Sequence, residues 1–92
     1  VVIIIPGSGP TDRDGNSPAG IAAAQYRLLA EGLAARGVSS IRIDKRGMFS
    51  SKAAIADANK VSIAAYAADA HAWAERARAL TGARCAWLVG HS

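Results

Sequence analysis

Apolar and polar positions along this chain alternate between two spacings, one suited to strands and one to helices. Val1 to Ile5 is an unbroken β-branched run, the pattern of a parallel strand buried on both faces. Pro6-Gly7 stops it. From Gly7 to Asn16 the chain reads Gly-Ser-Gly-Pro-Thr-Asp-Arg-Asp-Gly-Asn, residues that bond their own backbone or tolerate positive φ, which predicts a long structured loop. Ser17 then reads as an N-cap and Pro18 as the first helical residue, with Ile21, Leu28, Leu29 and Leu33 recurring at helical spacing. The pattern predicts a helix to about Arg36, closed by Gly37 in a left-handed C′ position. Val38, Ile41 and Ile43 form the next strand, which Asp44-Lys45-Arg46-Gly47 ends.

Met48 to Lys60 has no clear period and reads as a loop with a helical turn. Ser62 caps a second helix in which Ile63, Tyr66, Ala70, Trp73, Ala77 and Leu80 share one face, and Gly82 ends it. Tyr66 and Trp73 are read as packing against the sheet. Cys85 to Val89 makes a third strand that runs directly into Gly90-His91-Ser92. Strands alternating with helical crossovers give an α/β fold, a parallel sheet in three layers with right-handed connections, and residues 1–92 form part of a single domain. With crossovers on opposite sides of the first strand, the crevice between first and third strand ends becomes a topological switch point, where such sheets bind ligands. That arrangement sets Gly7-Ser8-Gly9 beside Ser92.

Composition narrows the function classes. At 51% hydrophobic and 20% charged residues the chain has the balance of a soluble globular protein. No apolar stretch approaches the roughly 20 residues of a membrane-spanning helix, so no membrane partner is expected. The chain opens on its apolar run with no initiator Met or leader, the expectation for a part of a larger protein whose own N-terminus lies upstream; the compartment is not legible, with the cytoplasm favoured. The net charge of +4 and the cluster Arg42, Lys45, Arg46, Lys52 and Lys60 raise the possibility of nucleic acid. An aromatic content of 5% supplies no stacking platform, so the cluster is read as solvated surface charge. The single cysteine, Cys85, forms no internal disulfide and no cysteine-based zinc site; its apolar neighbours predict a buried thiol.

A strand running straight into Gly90-His91-Ser92 matches the first half of the Gly-x-Ser-x-Gly nucleophile elbow, which needs small residues around the serine because the turn is sharp. Acyl transfer builds negative charge on a carbonyl oxygen, and fixed backbone donors stabilise it. Gly7 and Gly9 leave the approach open, so the N–H of Ser8 is the candidate donor and that of Gly9 the next. The plainer alternative is that Pro6 to Pro10 is only a tight strand-ending turn.

The loop from Pro6 to Asn16, the block Leu28-Leu29-Ala30-Glu31-Gly32-Leu33-Ala34-Ala35-Arg36-Gly37, Arg42-Ile43-Asp44-Lys45-Arg46-Gly47 and Val89-Gly90-His91-Ser92 together resemble bacterial α/β-hydrolases of the esterase and serine-aminopeptidase-like group. The likeness spans essentially the whole chain, and the Gly-Ser-Gly-Pro-Thr-Asp-Arg-Asp-Gly-Asn loop is its most specific element. It implies a partial α/β-hydrolase fold, a serine hydrolase acting on a small-molecule carboxylic ester or related acyl substrate, and no cofactor or metal. It further implies that Ser92 is the nucleophile and that Ser8, in the place of the residue after His-Gly in many relatives, lends its N–H to the oxyanion hole. The second oxyanion donor would follow Ser92, and the triad acid and histidine come later still in this fold. The 92 residues alone are therefore expected to be inactive. Pro6 stands where many relatives carry histidine, and Met48-Phe49 occupies a segment that often contains glycine.

Other residues have plainer readings. His91 points away from its neighbour in such a turn and His71 lies on the second helix, so neither is expected to be the general base. Asp44 and Arg46 brace the strand end. Asp12 to Asn16 superficially resembles a calcium loop, but its glycine comes too early for an EF-hand, and hydrogen bonding within the loop is preferred. A dinucleotide-binding βαβ unit is the rival reading, since Gly7-x-Gly9 follows a strand and Asp44 ends the next; Pro10 to Asn16 separates its glycines from the helix. A non-catalytic hydrolase-like binding protein is the other alternative. Unpaired sheet edges lead us to expect self-association.

Overall fold

Val2, Ile3, Ile4 and Ile5 carry no charge and are all β-branched, and they form β1 (Val2–Ile5). The computed structural model, which describes residues 1–92, sets β1 in the middle of a three-stranded parallel sheet of order β2-β1-β3. The chain is a small α/β domain: β1, α1 (Gln25–Ala35), β2 (Ser40–Arg42), two 3-10 turns at Phe49–Ala54 and Ala58–Lys60, α2 (Ile63–Thr81) and β3 (Trp87–Gly90). Ile3 pairs with Ile41 on one side and Leu88 on the other. Successive strand residues face opposite sides, and Ile3 and Ile4 are 0% and 2% exposed. Both faces of the sheet are therefore covered at its centre.

On the Ile3 face, Ile43 and Ala77 complete the buried cluster, flanked by Val1, Ile5, Ile41, Ala74 and Ala86. Small residues on α2 let the helix approach β1 and β3. Ser62 caps α2 by accepting from the Ala65 N–H at 3.1 Å, and Gly82 ends it at φ 71, as the sequence predicts. The apolar face of α2 is only partly buried, since Ile63 and Leu80 project into solvent. Lengths explain this: 19 helical residues span about 28 Å, whereas strands of this size span about 13 Å. The helix overhangs the sheet at both ends.

α1, packed along β2, starts later than the sequence pattern indicates. Ser17-Pro18 opens a turn in place of a helix: the Gly20 N–H donates to the Ser17 carbonyl at 3.1 Å, and the Ser17 N–H to the Ile21 carbonyl at 2.8 Å. Proline after a hydroxyl residue is as suited to the second position of a β-turn as to a helix start. The helix begins at Gln25 after Ala24 in a left-handed conformation (φ 49), without a side-chain cap. Its free Tyr26 and Arg27 N–H groups donate to the Asp14 carbonyl at 3.1 and 3.3 Å, so the long loop itself caps α1. Cys85 is also corrected. It is exposed, because β3 starts at Trp87 and lies at the edge of the sheet.

Candidate active site

The register of β1 with β3 sets the ends of the two strands against each other. Ile5 pairs with Gly90, and the His91 N–H donates to the Ile5 carbonyl at 3.2 Å. One step further, the Ser8 N–H donates to the Ser92 carbonyl at 3.1 Å. Both candidate site residues, Ser8 and Ser92, thus stand together at one end of the sheet, exposed. The candidate donor amide of Ser8 thus bonds the backbone of Ser92. Gly7 makes the approach possible: a Cβ there would lie 2.1 Å from the Ser92 carbonyl oxygen and 3.1 Å from the His91 ring. A side chain there would have to displace the Ser92 backbone and the His91 ring.

The Gly7-Ser8-Gly9 turn is held from behind by Tyr26, which the sequence pattern does not single out, and by Lys45, which it reads as solvated charge. The Tyr26 hydroxyl accepts from the Gly7 N–H at 3.2 Å and shares a 2.7 Å hydrogen bond with His91 Nδ1, the two rings meeting edge to face with centroids 5.8 Å apart. His91 Nδ1 is thus taken by Tyr26, and no hydrogen bond joins the ring to Ser92. Lys45, buried at the end of β2, donates from Nζ to the Gly7 carbonyl and, at 3.1 Å, to the Gly9 carbonyl. Burial pushes its ammonium below the ordinary lysine pKa. A two-residue alternation through Ile41 and Ile43 reaches Lys45 at its next step, a signal that could have revealed its inward direction. Nothing in the spacing links Tyr26 to His91.

The rest of the long loop is fixed by acidic groups. Asp12 Oδ1 accepts from the Asp14 and Asn16 N–H groups at 2.8 and 2.9 Å, the loop-internal bonding expected of this segment. Asp14 pairs with Arg42. Asp44 Oδ1 accepts from the Arg13 N–H at 2.7 Å, and its Oδ2 takes the Ser50 hydroxyl and N–H. Burial raises the Asp44 pKa, but these hydrogen bonds and the Arg13 charge outweigh it and hold the carboxyl below its ordinary range. Asp44 therefore braces the loop, as expected, while Arg46 turns to α2. Its guanidinium donates to both Asp69 oxygens at 2.8 and 2.5 Å, and the hydrogen bonding lowers the Asp69 pKa.

Between α2 and the ends of β1 and β2 lies a cavity of about 280 Å³ bordered by Ile5, Ser8, Ile43, Tyr66, Asp69 and Trp73, among others. Tyr66 and Trp73 are thus walls of an open space, Trp73 being 37% exposed, and not simply packed on the sheet. The reading of Arg42, Lys45 and Arg46 as free surface charge is likewise corrected, since each has an internal partner. Gly7 to Gly9 does not open α1, because Pro10 to Ala24 intervenes, so the helix N-terminus that a pyrophosphate needs is not built by this turn. No helix is long and apolar enough to cross a membrane. No family model, no curated protein and no solved structure matches this chain.

Proposed function

We propose that residues 1–92 are the nucleophile-bearing part of an α/β-hydrolase, a serine hydrolase acting on a carboxylic ester or related acyl compound. The observation that carries this reading is the juxtaposition of two strand ends, a glycine turn after β1 and Gly90-His91-Ser92 after β3, with Ser8 N–H within 3.1 Å of the Ser92 backbone. In this reading the Ser92 hydroxyl attacks the acyl carbon. The charge that gathers on the carbonyl oxygen is met by the Ser8 N–H, which exchanges the Ser92 carbonyl for the substrate oxygen. The proton leaving Ser92 goes to a histidine outside these residues, since neither His71, on α2, nor His91, adjacent to the serine in the chain, makes a hydrogen bond to Ser92. The partial hydrolase fold follows from the same reading: strand order β2-β1-β3 leaves the far edge of β3 for the strands that would carry the base and acid.

The test is covalent labelling. In the complete hydrolase, a fluorophosphonate probe is expected to modify Ser92 and to leave a Ser92→Ala variant unmodified, read by peptide mass spectrometry. Equal labelling of the variant, or labelling elsewhere in the wild type, overturns the assignment. The 92-residue chain is expected to hydrolyse p-nitrophenyl acetate no faster than buffer, since it holds no base directed at Ser92.

A further inference from the structure

We propose that Lys45 is a positioning residue that fixes the Gly7–Ser8 peptide plane and polarises it, so that the Ser8 N–H becomes a stronger donor to an oxygen acquiring negative charge beside Ser92. The proposal rests on the hydrolase reading above. Its basis is the arrangement of one peptide unit. The carbonyl of Gly7 and the N–H of Ser8 belong to the same amide, and Lys45 Nζ donates to that carbonyl while the N–H faces the elbow. A cation on the oxygen of an amide draws electron density toward it and leaves the N–H more positive, the cooperative strengthening seen along chains of hydrogen bonds.

The surrounding charges leave Lys45 free to act in this way. Asp44 is the nearest carboxylate in sequence, but its oxygens are taken by Arg13 and Ser50. Asp69, across the cavity, gives both oxygens to Arg46. No carboxylate pairs with Lys45, so its charge is not neutralised locally and its field falls on the two carbonyls it holds. A buried cation without a counter-ion is costly, and an apolar side chain of the same length would fill the space without that cost. The second carbonyl, of Gly9, belongs to the bond to Pro10, which has no N–H; that contact orients the turn but polarises no donor. Tyr26 takes the preceding N–H, of Gly7. The Gly7 N–H and carbonyl are therefore both held from behind, and the Ser8 N–H, bonded to the Ser92 backbone, is the candidate oxyanion donor.

The experiment compares Lys45→Met, Lys45→Gln and Lys45→Arg. In the ¹⁵N,¹³C-labelled chain, Lys45→Met is expected to shift the Gly7 carbonyl carbon and the Ser8 amide nitrogen and proton upfield together, and Lys45→Arg to restore most of both shifts. Lys45→Gln keeps a donor without a charge and serves if the methionine variant does not fold; it is expected to retain the turn and still lose the Ser8 shift. A Ser8 amide that stays unmoved in both neutral variants overturns the polarisation. In the complete hydrolase the neutral variants are expected to lose about ten- to a hundredfold in kcat, the worth of one charge-assisted hydrogen bond, with KM changed less than about twofold. Wild-type kcat, or a loss carried by KM, overturns it. Failure of a fluorophosphonate to label Ser92 in the wild type would refute the hydrolase reading instead, and the amide shifts would still decide whether Lys45 polarises the peptide.

Discussion

β2 and β3 pair with the same central strand in the same parallel sense, yet the two flanks are held by different forces. On the β2 flank, charged side chains reach across to the loop after β1: Arg42 to Asp14, Asp44 to the Arg13 N–H, and Lys45 to the Gly7 and Gly9 carbonyls. On the β3 flank the backbone ladder does most of the holding, joined by the Tyr26–His91 contact. Trp87, Leu88 and Val89 are 70%, 53% and 41% exposed. The flank that shapes the candidate oxyanion turn is thus locked, whereas the strand that delivers Ser92 lies open at the edge. Position along a parallel sheet does not by itself say how firmly a strand is held.

The largest expected effect tests that contrast in the core. Ile3→Ala is expected to cost about 2–5 kcal/mol, which a chain with 11 of its 92 residues buried has little reserve to absorb. Leu88→Ala, its neighbour in the ladder, is expected to cost less than about 0.5 kcal/mol. Urea unfolding of the two variants measures both, and equal losses would show that the β3 edge is packed as firmly as the central strand.

A smaller effect sharpens the β2 side. Asp44→Asn is expected to lose about 1–3 kcal/mol at neutral pH by weakening hydrogen bonds to a charged acceptor. The Asp44 and Asp69 carboxyls both titrate below the ordinary value of 3.8. Their contribution is therefore complete above that pH and is lost as the pH falls through the depressed folded values. Thermal melts from about pH 6 to pH 2 should show the wild type losing stability at the acid end and the asparagine variant losing less. A parallel acid limb in both would remove Asp44 from the account.

The smallest effect concerns the open edge. An apolar edge strand is a template for another strand, and the wild-type chain is expected to self-associate as concentration rises. Leu88→Lys should lower the scattering mass without changing the urea midpoint by more than about 0.5 kcal/mol equivalent. A monomeric wild type at millimolar concentration would show that the exposed face of β3 is not adhesive.

What could be read in advance follows from how local each signal is. β1, the Ser62 cap and the Gly82 terminus of α2 are set by residues within one turn of each other, and the sequence pattern finds them. The strand order is only partly legible, because two helical crossovers give parallel strands but leave open on which side of β1 each neighbour lies, and the order β2-β1-β3 comes from the structure. The start of α1 is not legible, because Ser17-Pro18 suits a turn as well as a helix, and the choice is made by the Ser17–Ile21 bridge and by Asp14 capping from a distance. Cys85 sits among apolar letters, but burial depends on what covers an edge strand, which no neighbouring residue reveals. Ser8 and Ser92 were legible as a pair given crossovers on opposite sides of β1, the arrangement that the strand order has. Tyr26 and Lys45 were not, since their partners lie far along the chain and are backbone groups or a ring that carry no sequence signature.

The ion pairs also change how the molecule looks from outside. Arg42 and Arg46 are bound to carboxylates, whereas Lys45 has no counter-ion and Lys52 and Lys60 stay exposed. Two of the five cations in this stretch are therefore cancelled nearby, and the rest stand apart from one another in place of a continuous basic face. Their pull on an anion is screened beyond about 8 Å at physiological salt, so any guidance they give an approaching solute should fade as salt is added.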